Sequence, residues 1–209
     1  MCIRDSYKAR ETSIEKIPMV IARTGWSGEL SYELYLQDRK LGNELFEIVY
    51  ESAKEFNGAV IAPNTIRTIE GGLLSYGSDF GREHSPYTIG LERLIDLDQD
   101  IDFIGKEALK RINKAGLKEK LIGVELEGEP ILKVPENFWP VLDDKDTKIG
   151  RLSRCFYSPR LEKNIGLAIV DIDYSKPGTK IIVQAPYEKI SSIVVDLPWF
   201  EAEKEVNLD

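Results

Sequence analysis

The chain has few of the residues on which many catalytic and metal-binding proteins depend. Among its 209 residues are only two cysteines, Cys2 and Cys155, and a single histidine, His84. Two cysteines without a CxxC pair exclude a disulfide framework and a cysteine zinc site. One histidine excludes multi-histidine metal sites and disfavours a Ser-His-Asp triad, and its polar loop predicts a solvated side chain. We therefore expect no metal ion, and a reducing cytoplasm as the simplest location.

Long apolar runs and basic clusters are also missing. No apolar run approaches the roughly 18 residues that a membrane-spanning helix needs, and no signal-peptide segment is visible. The formal net charge is −8, which argues against nucleic acid or an anionic membrane as a partner. With 42% apolar and 31% charged residues, the composition is that of an ordinary globular protein.

The hydrophobic pattern changes its period along the chain and predicts an α+β domain followed by a small all-β barrel. In the first part we expect strands at 18–23, 29–36, 59–62 and 86–97, and helices after Asp38, after Pro63 and at 105–115. In the second part we expect short strands at 121–126, 141–142, 149–154, 165–171, 180–184 and 190–196.

Three segments follow from this division of the chain. Residues 1–6 resemble translated adapter read-through, and we expect a non-native or disordered leader over residues 1–12. Residues 13–115 form the α+β part and residues 116–209 the barrel, with the boundary placed within 113–118. Because the α+β part begins in mid-domain, we expect it to expose apolar surface and to aggregate in isolation.

The segment 23–36 is the most informative stretch of the sequence. Its glycines predict a tight turn that leads into a strand, and side chains alternate along a strand. One face is the predicted core face and carries Tyr32, Leu34 and Leu36. The other places Glu33 beside Tyr35, with Trp26 across the turn, which suits a flat heterocycle with N–H donors such as a pterin or purine. The alternative is a solvated outer face, because exposed Glu and Tyr are common on strands.

The helix after Pro63 carries two further features. Gly71 and Gly72 each weaken a helix by roughly 1 kcal/mol relative to Ala, which indicates close approach by another backbone or a ligand. Arg67 and Glu70 stand three residues apart, and this spacing predicts an ion pair on the surface of the helix.

Five ordered motifs carry a resemblance to a known family: residues 24–29 with Glu33, 69–79, 103–109, 157–166 and 176–179. Together they closely resemble the aminomethyltransferase (glycine-cleavage T-protein) family of folate enzymes, over nearly everything from 18 to 200. The family implies a three-domain, ring-like protein with tetrahydrofolate in its central hole. The chain is similar to the carboxy-terminal half of such a protein, and the resemblance implies the missing amino-terminal half as a partner.

The resemblance also implies roles for particular residues. The carboxylate of Glu33 would accept hydrogen bonds from the N–H groups of the pterin, and Trp26 and Tyr35 would complete the folate-binding set. Candidate secondary contacts are Asn64, Tyr76 and Arg160. Tyr76 would lie near the pterin, and the alternative is that it packs in the core. Arg160 would contact the glutamate tail of folate, and the alternative is that it lies in a solvated turn. The family's catalytic aspartate lies in the missing half, so the catalytic residues are unknown and the chain alone is expected to be inactive.

Two departures separate the chain from the T-protein pattern. Trp26 stands where the T-protein has tyrosine, and Asn64-Thr65 replaces an arginine followed by aspartate. With Glu33 and Tyr35, these residues look more like the dimethylsulfoniopropionate demethylase branch. That branch implies methyl transfer from a sulfonium or methylated-amine small molecule to tetrahydrofolate. The alternatives are aminomethyl transfer in the glycine cleavage system and a non-catalytic folate-binding module.

Overall fold

The computed structural model describes residues 7–62 and 64–200. By packing, the chain divides after Thr68 into two compact units, the second running from Ile69 to Trp199. The predicted domain boundary within 113–118 differs from this packing division and stays a prediction about domains.

The first unit is a small antiparallel sheet with one long helix. Strands β1 (Ala9–Ile14), β2 (Ile17–Ala22) and β3 (Glu33–Leu36) pair in the order β1-β2-β3. The helix predicted after Asp38 is present as α1 (Gly42–Lys54), but Asp38 caps the short 3-10 helix (Arg39–Leu41) that precedes it. Ile17, Met19 and Leu45 form the buried centre, because alternate residues of β2 face the apolar side of α1.

Three expectations for the first part of the chain are wrong. Residues 9–12 are not disordered, because they pair with β2 as part of β1. Residues 59–62 form no strand, because no partner strand pairs with them in the described part of the chain. Residues 86–97 form turns and a 3-10 helix (Glu92–Leu94), because their backbone groups bond locally, as in Leu91 N to the Pro86 carbonyl at 2.9 Å. Residues 1–6 lie outside the described residues.

Helix α2 (Thr65–Glu70) ends where the two glycines begin. Gly72 has a φ of 63°, and a Cβ there would lie 3.6 Å from Leu197 and Pro198. Trp199 N donates to the Glu70 carbonyl at 3.0 Å. Within the second unit another backbone segment therefore approaches Gly72, as the sequence predicts for the glycine pair, but both glycines follow the helix instead of lying in it. Helix α3 (Lys106–Ala115) matches the helix predicted at 105–115 and ends before Gly116.

The second unit contains a closed six-stranded antiparallel barrel of order β4-β7-β6-β5-β8-β9. Its strands are β4 (Glu119–Leu126), β5 (Trp139–Leu142), β6 (Lys148–Ser158), β7 (Lys163–Asp171), β8 (Lys180–Gln184) and β9 (Lys189–Val195). Within residues 119–195, all of which the structure describes, the one helical segment is a short 3-10 helix (Ile172–Tyr174). The predicted barrel and its strand positions are thus confirmed.

Strand β7 is buried on both faces, which explains its continuous apolar run. Ala168 and Val170 face the barrel interior, whereas Ile165, Leu167 and Ile169 face a second core outside the barrel. The segments around 69–97 and 197–199 supply side chains to that outer core. Burial on both faces removes the usual polar alternation of a strand.

Candidate functional site

A tight loop joins β2 to β3 and leads to the predicted acidic side chain. A Cβ at Gly25 would lie 2.7 Å from the Ser31 Cβ, a clash that glycine avoids. Gly28 has a φ of 75°, a left-handed conformation that favours glycine. Inside the loop the Ser31 hydroxyl donates to the Glu29 carbonyl at 3.2 Å. Loop closure therefore explains the glycines, and the loop delivers the chain to Glu33.

The carboxylate of Glu33 lies at the start of β3 and accepts two hydroxyl groups on one oxygen. The Thr24 hydroxyl donates to Glu33 Oε2, and the Tyr35 hydroxyl donates to the same oxygen at 3.1 Å. No hydrogen bond from a described residue reaches the other oxygen, Oε1. Because a carboxylate oxygen accepts about two hydrogen bonds, Oε2 is filled and Oε1 is open to a donor from a ligand.

The aromatic side chains of the predicted site are largely exposed. Trp26 exposes 59% of its surface and Tyr35 exposes 53%. Tyr35 contacts Glu33 through its hydroxyl. Trp26 makes no hydrogen bond or ring contact with a described residue, so its place on the same wall as Glu33 stays a prediction. The Trp26 loop is held by an ion pair between Glu29 and Arg67, with N and O 3.2 Å apart.

The predicted core face of β3 is shorter than expected. The strand begins at Glu33, so Tyr32 lies before it and is exposed. The guanidinium carbon of Arg23 lies 5.9 Å from the centroid of the Tyr32 ring, within range of a cation–π interaction. Leu34 and Leu36 do pack against the core of the first unit.

Asn64 has a structural task at the start of α2. Its Oδ1 accepts a hydrogen bond from Ile66 N at 2.8 Å, which is the geometry of a helix N-cap. The side chain is exposed and carries no charge. Its contact with a ligand stays a prediction.

In the second unit, Arg160 is paired with a buried carboxylate. Glu70 accepts from the Ser158 hydroxyl at 2.6 Å, and its Oε2 lies 3.8 Å from an Arg160 guanidinium nitrogen. The expected surface pair is therefore wrong, because Glu70 is buried by the barrel loop after β6, and Arg67 pairs with Glu29 instead. Arg160 is tethered to a carboxylate rather than freely solvated.

Tyr76 lies on an irregular segment that a buried ion pair fixes to the barrel. Its exposed ring stands edge-on to Phe80, with centroids 5.6 Å apart. Buried Asp79 binds Arg154 of β6 at 2.6 Å, and Arg154 also donates to the Leu73 carbonyl at 2.9 Å. Tyr76 is therefore not a core residue, and a pterin contact stays a prediction. Sequence reasoning missed the ion pair because its partners lie 75 residues apart.

His84 is buried, contrary to the expectation of a solvated loop. Its side chain exposes 2% of its surface, and Nδ1 accepts from Gly81 N at 3.0 Å. Two groups lie near His84 Nε2: a guanidinium nitrogen of Arg151 at 3.5 Å and Glu119 Oε1 at 3.8 Å. The polar loop folds onto the barrel strands, and local composition does not show such a contact.

Two further findings concern the buried cysteine and the grouping of possible metal ligands. Burial raises the pKa of the Cys155 thiol to about 12, so the thiolate nucleophile is absent at neutral pH. Among residues 7–62 and 64–200, no three His, Cys, Asp or Glu side chains are grouped to hold a metal ion. The helices of the same residues are too short or too polar to cross a bilayer.

The sequence matches profiles for two domains of one family. Residues 5–99 match the GCVT N-terminal domain, and residues 119–201 match the glycine cleavage T-protein C-terminal barrel domain. A solved relative of similar fold is the glycine cleavage system aminomethyltransferase T from Bartonella henselae, with a TM-score of 0.75 and 19% identity. The match covers 88% of this chain and 50% of that one, and it supports the fold alone.

Two curated relatives represent both branches of the resemblance. An aminomethyltransferase from Caldanaerobacter subterraneus is 32% identical over 202 residues, which cover 95% of this chain and 52% of the relative. Dimethylsulfoniopropionate demethylase DmdA from Ruegeria pomeroyi is 30% identical over 180 residues, which cover 86% of this chain and 48% of the relative. The chain spans about half the length of the curated relatives it matches. It belongs to the aminomethyltransferase (glycine-cleavage T-protein) family.

Proposed function

We propose that the chain is the folate-binding part of a tetrahydrofolate-dependent one-carbon transferase. One observation carries the proposal: Glu33 presents an open Oε1 while two hydroxyl groups hold its other oxygen. An acceptor-only carboxylate is a suitable partner for the N–H edge of a pterin. The enzymes of this family depend on tetrahydrofolate, which supports the choice of ligand.

The proposed folate site consists of Glu33, Trp26 and Tyr35. Glu33 orients the ligand through hydrogen bonds, and the exposed rings of Trp26 and Tyr35 offer flat apolar faces. When bound, tetrahydrofolate supplies the nucleophilic N5 that accepts the carbon unit. Tyr76 and Arg160, in the second unit, stay separate candidates for contact with the ligand, since Tyr76 is exposed and Arg160 leaves 32% of its side chain exposed beside Glu70.

For the reaction we propose methyl transfer from a sulfonium or methylated-amine donor, with dimethylsulfoniopropionate as the leading candidate. Trp26 and Tyr35 present aromatic faces that attract a cation, and Asn64 caps α2 where the T-protein pattern has a cationic arginine. With both partners bound, the donor sulfur would release its methyl group and keep the electron pair of the broken bond, and tetrahydrofolate would accept the methyl group and lose its N–H proton to solvent. A sulfonium is a good leaving group, so alignment of two bound partners supplies much of the catalysis.

Aminomethyl transfer is the second candidate, because an aminomethyltransferase relative matches the chain about as closely as the demethylase does. The assay that separates them uses a chimera in which the chain replaces the corresponding part of the Ruegeria pomeroyi demethylase. We expect 5-methyltetrahydrofolate from dimethylsulfoniopropionate and no exchange with the glycine-cleavage carrier protein. Aminomethyl exchange with the carrier protein, without methyl transfer from sulfonium or methylamine donors, would contradict methyl transfer and support aminomethyl transfer.

The same chimera tests the residue assignment. Trp26→Ala should weaken the cationic donor more than tetrahydrofolate, because it removes an aromatic face. Glu33→Ala should do the reverse, because it removes the pterin acceptor. Equal effects of both variants on both ligands would contradict the separate roles.

We also propose that an amino-terminal half completes the protein, since the relatives are about twice as long. The catalytic residues would lie there, and the chain alone would be inactive. The first unit exposes large apolar side chains that such a partner would cover: Phe46, Val49, Phe56, Val60 and Ile61. A reduced cytoplasmic setting suits the unpaired, buried Cys155.

A further inference from the structure

We infer that Thr24 is a positioning residue whose hydroxyl holds the Glu33 carboxylate and leaves Oε1 for the ligand. The inference rests on the proposed folate-binding role of Glu33. Its basis is the hydrogen bond from Thr24 to Oε2, which joins the one from Tyr35 on the same oxygen. The motif assigns chemistry to Glu33 and its aromatic neighbours, and it gives Thr24 no task.

The backbone immediately before Thr24 is anchored by two hydrogen bonds of Arg23. Arg23 N donates to the Lys8 carbonyl at 2.8 Å, and the Arg23 carbonyl accepts from Tyr7 N at 3.1 Å. Ala22 pairs directly with Glu33 across β2 and β3, so the residues that follow Ala22 begin beside the carboxylate. A threonine side chain is short and has a restricted χ1, which makes its hydroxyl a fixed donor.

Tyr35 is a less constrained partner of the same oxygen. Its phenol extends from an exposed face of β3, and its ring is half exposed. A ligand with two parallel N–H donors reaches both oxygens of Glu33 only when one hydroxyl leaves Oε2. The exposed Tyr35 hydroxyl is the one that can move away, whereas Thr24 stays and keeps the carboxylate plane in place.

The test measures ligand binding by the 209-residue chain and two Thr24 variants. Thr24→Val keeps the shape of the side chain and removes the hydroxyl, and Thr24→Ser keeps the hydroxyl. The probes are tetrahydrofolate, titrated calorimetrically to millimolar concentration, and p-aminobenzoylglutamate, which lacks the pterin. Thermal unfolding of each variant shows whether the fold is retained.

We expect Thr24→Val to weaken tetrahydrofolate by about tenfold, the size of a lost hydrogen bond to a charged group. Thr24→Ser should bind within about twofold of the parent chain, and neither variant should change binding of p-aminobenzoylglutamate. Equal tetrahydrofolate affinity in Thr24→Val and the parent would overturn the inference and leave the folate site intact. Equal weakening by both variants, or of both probes, would also overturn it. No tetrahydrofolate binding by the parent chain would overturn the folate assignment of Glu33 itself, and the inference with it.

Discussion

The two units differ in where they keep their polar groups. In the barrel unit, Asp79 is buried and its carboxylate is filled by the Arg154 guanidinium and the Ser153 hydroxyl. In the first unit, the Glu33 carboxylate is partly exposed and has one oxygen open among the described residues. A filled buried carboxylate holds a structure together, whereas an open, half-exposed one is suited to a ligand. The buried pair contributes to the stability of the barrel unit, and the ligand recognition that we propose lies in the small sheet.

Their apolar groups differ in the same way. The barrel interior is closed, and residues such as Val124, Leu152 and Val183 are wholly buried. The first unit has a small core around Ile17 and Met19 and large apolar side chains in solvent. Buried apolar area dominates folding stability. We therefore expect the barrel to unfold at higher denaturant concentration than the sheet. We also expect a core substitution to cost more free energy of unfolding in the barrel than in the sheet.

The largest expected effect comes from breaking the buried ion pair. Arg154→Met leaves Asp79 buried without its cation, which should lower the free energy of unfolding by about 3–5 kcal/mol. Denaturant unfolding followed by circular dichroism measures the loss. The double variant Asp79→Leu with Arg154→Met should recover part of it, because no charge is then left unpaired. A loss below about 1 kcal/mol in the single variant would show that the pair does not hold the segment to the barrel.

A matched pair of leucines compares the two cores directly. Leu152→Ala, in the closed barrel, should cost about 3 kcal/mol, because it opens a cavity in close-packed surroundings. Leu34→Ala, at the partly exposed sheet of the first unit, should cost about 1 kcal/mol, because the site is only half buried. Equal losses in denaturant unfolding would contradict the difference between the cores.

The buried thiol gives the barrel a pH dependence at high pH. Burial raises the pKa of Cys155 to about 12, above its value in the unfolded chain. The stability due to the neutral thiol is therefore fully present below the unfolded pKa of about 8.5 and is lost as pH rises toward 12. We expect the stability difference between the parent and Cys155→Ala to change over that window and to be constant from pH 6 to 8. A difference that stays constant up to pH 12 would contradict the burial argument.

The smallest effect on stability is expected at the exposed apolar surface of the first unit. Phe56 exposes 82% and Ile61 79% of their surfaces, so Phe56→Ser and Ile61→Ser should change the free energy of unfolding by less than about 0.5 kcal/mol. Both should reduce self-association of the chain, because each removes an exposed apolar side chain. Leu132→Ser, at an exposed leucine of the barrel unit, serves as the control. A parent chain that stays monomeric at high concentration would refute a role of these side chains in self-association.

The sequence predicted the barrel better than the first unit, for a physical reason. The barrel strands are short apolar runs, such as 180–184, and Gly, Pro and Asp turns bound them. The apolar run and the turn residues are both visible in the local sequence. Burial of His84 and Glu70 depends on the barrel surface onto which their segments fold, and no local pattern encodes that contact. Residues 59–62 have a strand composition, but a strand needs a hydrogen-bonding partner, which the described chain does not supply.

The site shows the same division between local and distant information. The alternation along β3 predicted that Glu33 and Tyr35 share a face, and their hydrogen bond follows from that spacing. The hydrogen bond from Thr24 to Glu33 was not predicted, because it depends on the pairing of Ala22 with Glu33 across two strands. That pairing becomes predictable only when the register of the hairpin is known.

The most direct test measures the affinity for tetrahydrofolate of the chimera with the Ruegeria pomeroyi demethylase, with and without the Glu33 carboxylate. Glu33→Ala should weaken binding by about 2–4 kcal/mol, or about 30- to 1,000-fold, because pterin donors lose their acceptor. Glu47→Ala, at an exposed glutamate of α1, is the matched control and should bind as the parent does. A Glu33→Ala affinity within about twofold of the parent would contradict the assignment of this carboxylate to the ligand.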